Sequence, residues 1–122
     1  MKLGDPSSTF VVVQWTAEAD TSREWPIAGL HLHGEEDEAW YVLDGRLGFL
    51  IGDEEVEASA GEGIFVPRGT PHSYWNAGTS KSRYVLVMGP QTAALVDELH
   101  RPGVVDYAAV FERHGSELLR SG

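Results

Sequence analysis

Three histidines and one glutamate are the residues of this chain best placed to do chemistry. His31 and His33 stand one residue apart at the mouth of an acidic run, Glu38 follows at its far end, and His72 comes later, after a Pro-Arg-Gly turn. Residues two apart in a strand project from one face, about 6.5 to 7 Å from each other, so His31 and His33 suit two ligands of one ion. Taken alone, such a pair also fits surface histidines or satisfied core histidines. Glu38 narrows the choice. It starts the next extended run and shares parity with Trp40 and Val42, so an inward face of Glu, Trp and Val buries a carboxylate beside aromatics. A buried carboxylate needs a partner, and a cation is an obvious one. Glu35, Glu36 and Asp37 read as the solvated turn between the two runs. With His72 the set becomes three neutral imidazoles and one carboxylate. That mixture of nitrogen and oxygen donors suits one divalent transition metal, Fe, Mn, Ni, Zn or Cu, with positions left open for water, oxygen or a substrate.

The elements that must position these residues are mostly strands. From Phe10 to Val87 short extended runs alternate with Gly, Pro, Asp and Asn at intervals of about 8 to 12 residues, the spacing of a sandwich or barrel. The runs are Phe10 to Trp15, Ala39 to Gly45, Arg46 to Gly52, Glu55 to Ser59, Gly63 to Pro67, His72 to Asn76 and Arg83 to Met88. Asp44-Gly45 and Gly52-Asp53 are hairpin dipeptides, and Pro67-Arg68-Gly69 supplies turn chemistry. After Gly89-Pro90 the pattern becomes helical. Thr92 to His100 forms one helix and Tyr107 to His114 a second, with Asp106 as N-cap, Val105 and Val110 as a hydrophobic staple, and Gly115 ending it. The organisation is a β-barrel domain over residues 1–90 and a helical tail over 91–122 that packs on its outside.

Composition removes several function classes. Asp and Glu number 19 against 9 Lys and Arg, a net charge of -10, so nucleic acid and anionic membrane surfaces are repelled. Without cysteine there is no disulfide, thiolate site or cysteine nucleophile. No signal-peptide run or membrane-length apolar stretch occurs, and the expectation is a cytoplasmic protein. No nucleophile-elbow, Walker or dinucleotide glycine motif is present, so any chemistry belongs to the metal.

At this point the chain resembles the cupin superfamily, in its small single-domain cupin 2 type. The first cupin motif, HxH, three or four residues, Glu, six residues, Gly, is matched by His31, His33, Glu38 and Gly45. The second, Gly, five residues, Pro-x-Gly, two residues, His, three residues, Asn, is matched by Gly61, Pro67, Gly69, His72 and Asn76. One position departs: Trp25 stands where the family often has Gly, six residues before the first His. The resemblance implies an all-β double-stranded β-helix, the jelly-roll cupin barrel, with His31, His33, Glu38 and His72 on one metal inside it. It implies turn roles for Gly45, Gly61, Pro67 and Gly69, a backbone-holding role for Asn76, and a homodimer.

Tyr74 shares parity with His72, so its phenol enters the barrel, either to hydrogen-bond a metal-bound ligand or substrate or as a packed core residue. Trp40 walls the same cavity. Trp75, of opposite parity, packs between sheets or at a subunit contact. His100 and His114 sit near helix C-termini, where an imidazole is favourable. The functional expectation is a metal-dependent enzyme acting on a small organic molecule, aromatic or polyketide-like, in a dioxygenase-like reaction in which Glu38 and Tyr74 take part. The alternatives are a redox-neutral cyclase, isomerase or lyase, and a non-catalytic module that binds a small ligand through its metal.

Overall fold

The computed structural model describes residues 1–120. In chain order its elements are β1 (Lys2–Leu3), β2 (Val11–Ala17), β3 (Ala28–His33), β4 (Glu38–Asp44), β5 (Arg46–Ile51), β6 (Glu54–Ser59), β7 (Gly63–Val66), β8 (His72–Asn76), β9 (Ser82–Met88), α1 (Pro90–Leu99), α2 (Tyr107–Arg113) and β10 (Ser116–Arg120). They make two antiparallel five-stranded sheets, ordered β1-β2-β9-β4-β7 and β10-β3-β8-β5-β6. This is the double-stranded β-helix expected from the sequence. Among the described residues no helix is long and apolar enough to cross a membrane.

Period-two alternation builds the barrel. In β4, Glu38, Trp40 and Val42 are buried while Tyr41 and Leu43 face outward. The inward residues of facing strands, among them Trp40, Leu47, Phe49, Tyr74, Tyr84 and Leu86, close one core between the sheets. Trp75 does not enter it. Its indole lies on the opposite face of β8, over its cross-strand partner Gly48, where a Cβ would collide with the ring.

Two polar knots hold the turns. Gly45 has φ 86° and backs onto Ser82, so any side chain there meets both a left-handed backbone and an occupied space. Asn76 donates from Nδ2 to the carbonyls of Ala17, Glu18 and Ser80, and its Oδ1 accepts from Gly78 N and Ser82 Oγ. Trp25, at the departing motif position, is an exposed turn residue, 72% accessible.

The tail differs from the sequence expectation in three ways. First, α1 begins at Pro90, because the carboxylate of Glu36, in the turn between β3 and β4, accepts from Gln91 N (3.2 Å) and Thr92 N (2.6 Å) and so caps the helix. The acidic run is therefore not simply a solvated turn: Asp37 also receives Arg68 through its backbone N, Nε and a guanidinium NH2 at 2.8 to 3.2 Å. Second, α2 has Asp106 as its cap, accepting from Ala109 N at 3.1 Å, but the staple does not form, since Val105 is 93% exposed while Val110 packs with Leu95 and Phe111. Third, Gly115, at φ 67°, turns the chain out of α2 into a strand, β10, which pairs with β3.

Candidate metal centre

The four candidate ligands come from three strands and meet at one point. His31 and His33 lie on β3, Glu38 opens β4 and His72 opens β8; all are buried, and their ligand atoms lie within 4.8 Å of one another. Register explains the convergence. His31 is the cross-strand partner of His72, and Gly69 of the Pro-Arg-Gly turn donates its backbone N–H to the carbonyl of His33 at 2.7 Å. The turn before β8 is thus tied to the strand bearing the first two histidines.

The hydrogen bonds of the rings decide which nitrogens face the centre. Nδ1 of His31 lies 2.5 Å from the Gly29 carbonyl and Nδ1 of His72 lies 2.9 Å from the Thr70 carbonyl. A carbonyl only accepts, so both Nδ1 atoms carry the proton and a neutral ring leaves its lone pair on Nε2. Nδ1 of His33 faces Ser116 Oγ at 2.7 Å. On the inner side, Glu38 Oε1 lies 2.9 Å from His72 Nε2 and 2.8 Å from His33 Nε2.

This arrangement fits a cation. His72 has an acceptor at both nitrogens, a carbonyl and a carboxylate, and a neutral ring satisfies one of them. His33 Nε2 is buried and, although close to Glu38, lacks the alignment of a hydrogen bond. Donors bound to one ion at about 2.1 Å stand about 3 Å apart when adjacent, which is the spacing of Glu38 Oε1 from the two imidazoles. Burial pushes the Glu38 carboxyl up, but the close imidazoles of His33 and His72 outweigh it and bring it down to about 2. His31 is driven down to about 3 by burial, then by His72 and His33. A carboxylate that stays ionised and an imidazole that stays neutral are the forms in which these groups bind metal.

A cavity of about 480 Å³ opens onto the centre, and His31, His33 and Glu38 form part of its wall. His72 is not on that wall; it sits behind, 1% exposed. Trp15, Trp40, Tyr74, Tyr84 and Leu86 make the aromatic and apolar sides, and Glu18 and Asp20 also line the space, but among the described residues no Lys or Arg does. Tyr74 and Tyr84 join their hydroxyls at 2.8 Å. Burial raises both: Tyr74 well above the ordinary tyrosine range and Tyr84 to about 12. Each therefore stays protonated as a hydrogen-bonding group. The indole Nε1 of Trp40 is buried without a partner.

The structure thus brings together all four candidate ligands read from the sequence, with Trp40 and Tyr74 beside them. The sequence reading missed the contribution of the tail. Thr92, Leu95, Val96 and His100 of the α1 segment line the cavity, and Phe111 of α2 packs its ring edge to face with His31 at 5.3 Å. His100 does bond at the helix end as expected, Nδ1 to the Val96 carbonyl at 2.7 Å, yet it also lines the cavity. His114 joins Glu98 at 2.9 Å.

Relatives agree with this architecture. A cupin protein from Bacteroides fragilis superposes with TM-score 0.58 at 15% identity, covering 81% of this chain and 71% of that one. A putative sugar phosphate isomerase from Acidithiobacillus ferrooxidans gives TM-score 0.58 at 22% identity over 67% of this chain and 51% of its own. An uncharacterised protein of Methanocaldococcus jannaschii is 37% identical over 49 residues, 40% of this chain and 39% of that protein. The chain therefore spans about two fifths of the curated relative it matches and about half of that putative isomerase. Residues 24–88, more than half of the chain and both histidine motifs, match the family described as Cupin_2, Cupin domain, and the chain belongs to the cupins.

Proposed function

We propose that the chain is a metal-dependent enzyme acting on a small, uncharged, partly aromatic molecule, in a dioxygenase-like reaction. One observation carries this reading: three of the four candidate ligands form the wall of an aromatic-sided cavity that, among the described residues, no Lys or Arg lines. Glu18 and Asp20 make its surroundings acidic, and Lys81 pairs with Glu18 at 3.6 Å on the exposed side. A phosphorylated or carboxylated substrate would enter against like charge. An uncharged phenol or diketone meets aromatic walls and a hydroxyl pair able to hydrogen-bond an oxygen.

His31, His33, Glu38 and His72 would hold the metal, which supplies Lewis acidity and, where redox-active, chemistry with dioxygen. The chain's own groups orient and exclude water. Trp40 and Tyr74 flank the centre and pack with each other at 5.4 Å between ring centroids. Glu38 is ionised and engaged by two imidazoles, and the two tyrosines keep their protons, so none of them is poised as a general base at neutral pH. That favours chemistry at the metal over a proton shuttle by Glu38 or Tyr74. A redox-neutral isomerase is the second reading, favoured by the putative sugar phosphate isomerase among the structural neighbours and by His100, an imidazole on the cavity wall outside the candidate ligand set.

Oxygen consumption separates the two. Iron-loaded protein should take up oxygen in the presence of a phenol or diketone, and a sugar phosphate should elicit none. Turnover undiminished without oxygen overturns the dioxygenase reading in favour of the isomerase, and tight binding without turnover of any compound overturns both in favour of a binding module.

A second copy of the chain is the proposed partner. On the outer face of the first sheet Val12, Val87, Ala39 and Phe65 are cross-strand neighbours in one uncharged row, with Tyr41 exposed beside them. On a chain of net charge -10 such a face is where two copies meet without repulsion.

A further inference from the structure

We infer that Ser116 is a positioning residue of the metal centre, fixing the ring orientation and tautomer of His33, so that the C-terminal strand belongs to the site. The inference rests on the metal-centre reading above. His31 and His72 draw their Nδ1 partners from carbonyls two residues earlier on their own chain segments. His33 does not: its Nδ1 partner is a side chain 83 residues away, held opposite it by the β10–β3 register. Gly34 N donates to the Gly115 carbonyl at 2.9 Å and locks that register beside the pair.

A carbonyl dictates a tautomer because it can only accept, whereas a hydroxyl can give or take. The Ser116 proton has its own acceptor, the His114 carbonyl at 3.4 Å, a long bond but one that sets a direction. Ser116 Oγ is then the acceptor for His33 Nδ1–H, and the His33 lone pair falls on Nε2, on the side of Glu38. Both residues are buried, His33 at 4% and Ser116 at 7% exposure, so water does not replace the hydroxyl freely. A partner on the far nitrogen orients a ligating imidazole and raises its basicity, and its loss typically lowers metal affinity about 10- to 100-fold.

The test is metal affinity by competition with a chelator, using Zn(II) and Co(II), on the whole chain. Ser116→Ala should weaken both metals about 10- to 100-fold and shift the Co(II) absorption bands. Ser116→Thr, which keeps the hydroxyl, should restore them, and Glu117→Ala, on the same strand, should bind as wild type. Affinity of Ser116→Ala equal to wild type overturns the inference, as does equal weakening in all three variants, which would mean strand packing and not the hydroxyl. The ¹⁵N shifts of His33 in Zn-loaded wild type need no variant: a deprotonated Nδ1 also overturns it. Wild type that binds neither metal overturns the metal-centre reading beneath it.

Discussion

Replacing Glu38 by Gln keeps the shape of the centre and removes its negative charge, and it should lower both the stability of the metal-free protein and the gain that metal confers. In the metal-free protein Glu38 is 5% exposed and ionised, beside imidazoles that bring its carboxyl down to about 2. A carboxyl depressed in the folded state contributes stability above its ordinary range, and a neutral amide does not carry that contribution. Metal-free Glu38→Gln should therefore unfold below wild type at neutral pH. With 122 residues and an unfolding entropy of about 2.1 cal/mol/K per residue, each kcal/mol moves the midpoint by about 4 °C. Metal at 100 times its Kd adds about 2.7 kcal/mol, so wild type should gain about 10 °C. If the variant binds 100-fold more weakly, the same metal concentration adds only about 0.4 kcal/mol, a gain of about 1.5 °C. The assay is thermal unfolding of chelator-stripped protein with and without Zn(II) or Mn(II). An equal metal-induced gain in both proteins would remove Glu38 from the ligand set. A metal-free variant as stable as wild type would mean that the imidazoles do not hold the carboxylate, and would refute the reasoning.

Two further predictions follow from the same features. The metal-free protein should lose stability on acidification, because His31 is lowered from 6.5 to about 3 and Glu38 from 4.5 to about 2, so the unfolded chain takes up these protons first. Stability is full above pH 6.5, falls toward pH 3 through His31 and from pH 4.5 toward 2 through Glu38, with a slope of up to about 1.4 kcal/mol per pH unit for each fully engaged group; urea midpoints that do not change between pH 7 and 4 would refute it. Sedimentation equilibrium should find a dimer that Phe65→Glu converts to monomer, since Phe65 is 61% exposed in the uncharged row of the outer sheet; a monomeric wild type removes that interface.

Much of the barrel and its ligands is legible in the sequence because both are written in local patterns. A period of two places Glu38 with Trp40 and Val42 on the buried side of β4, and His31 with His33 on one side of β3. Gly45 and Gly69 mark turns that need positive φ, at 86° and 80°. Glu36 and Ser116 carry no such mark. Their partners, Thr92 and His33, lie 56 and 83 residues away, and nothing in the residues around them distinguishes a helix cap or a ring partner from a solvated carboxylate or hydroxyl. The strand β10 was hidden for a related reason: SELLR sets two leucines side by side, which breaks alternation, and the segment becomes a strand only because β3 has a free edge to pair with.

The same contrast bears on how the centre holds its charge. The candidate ligands are supplied by strands whose register the core fixes, but two of the three rings also touch the tail, His33 through Ser116 and His31 through Phe111. The tail is bound to the barrel by polar contacts at its ends, Glu36 at the start of α1 and the β10–β3 pairing at the finish, with Glu98 gripping Arg113 and His114 between the helices. A cation at the centre would draw the imidazole lone pairs inward and strengthen the Nδ1 bonds behind them, so metal binding and docking of the C-terminal segment should be coupled. Hydrogen exchange at the backbone amides of β10 is where that coupling would be read. Protection there should rise when metal is added to wild type and rise less in Ser116→Ala, and protection indifferent to metal would mean that the tail closes the cavity without sensing what the centre holds.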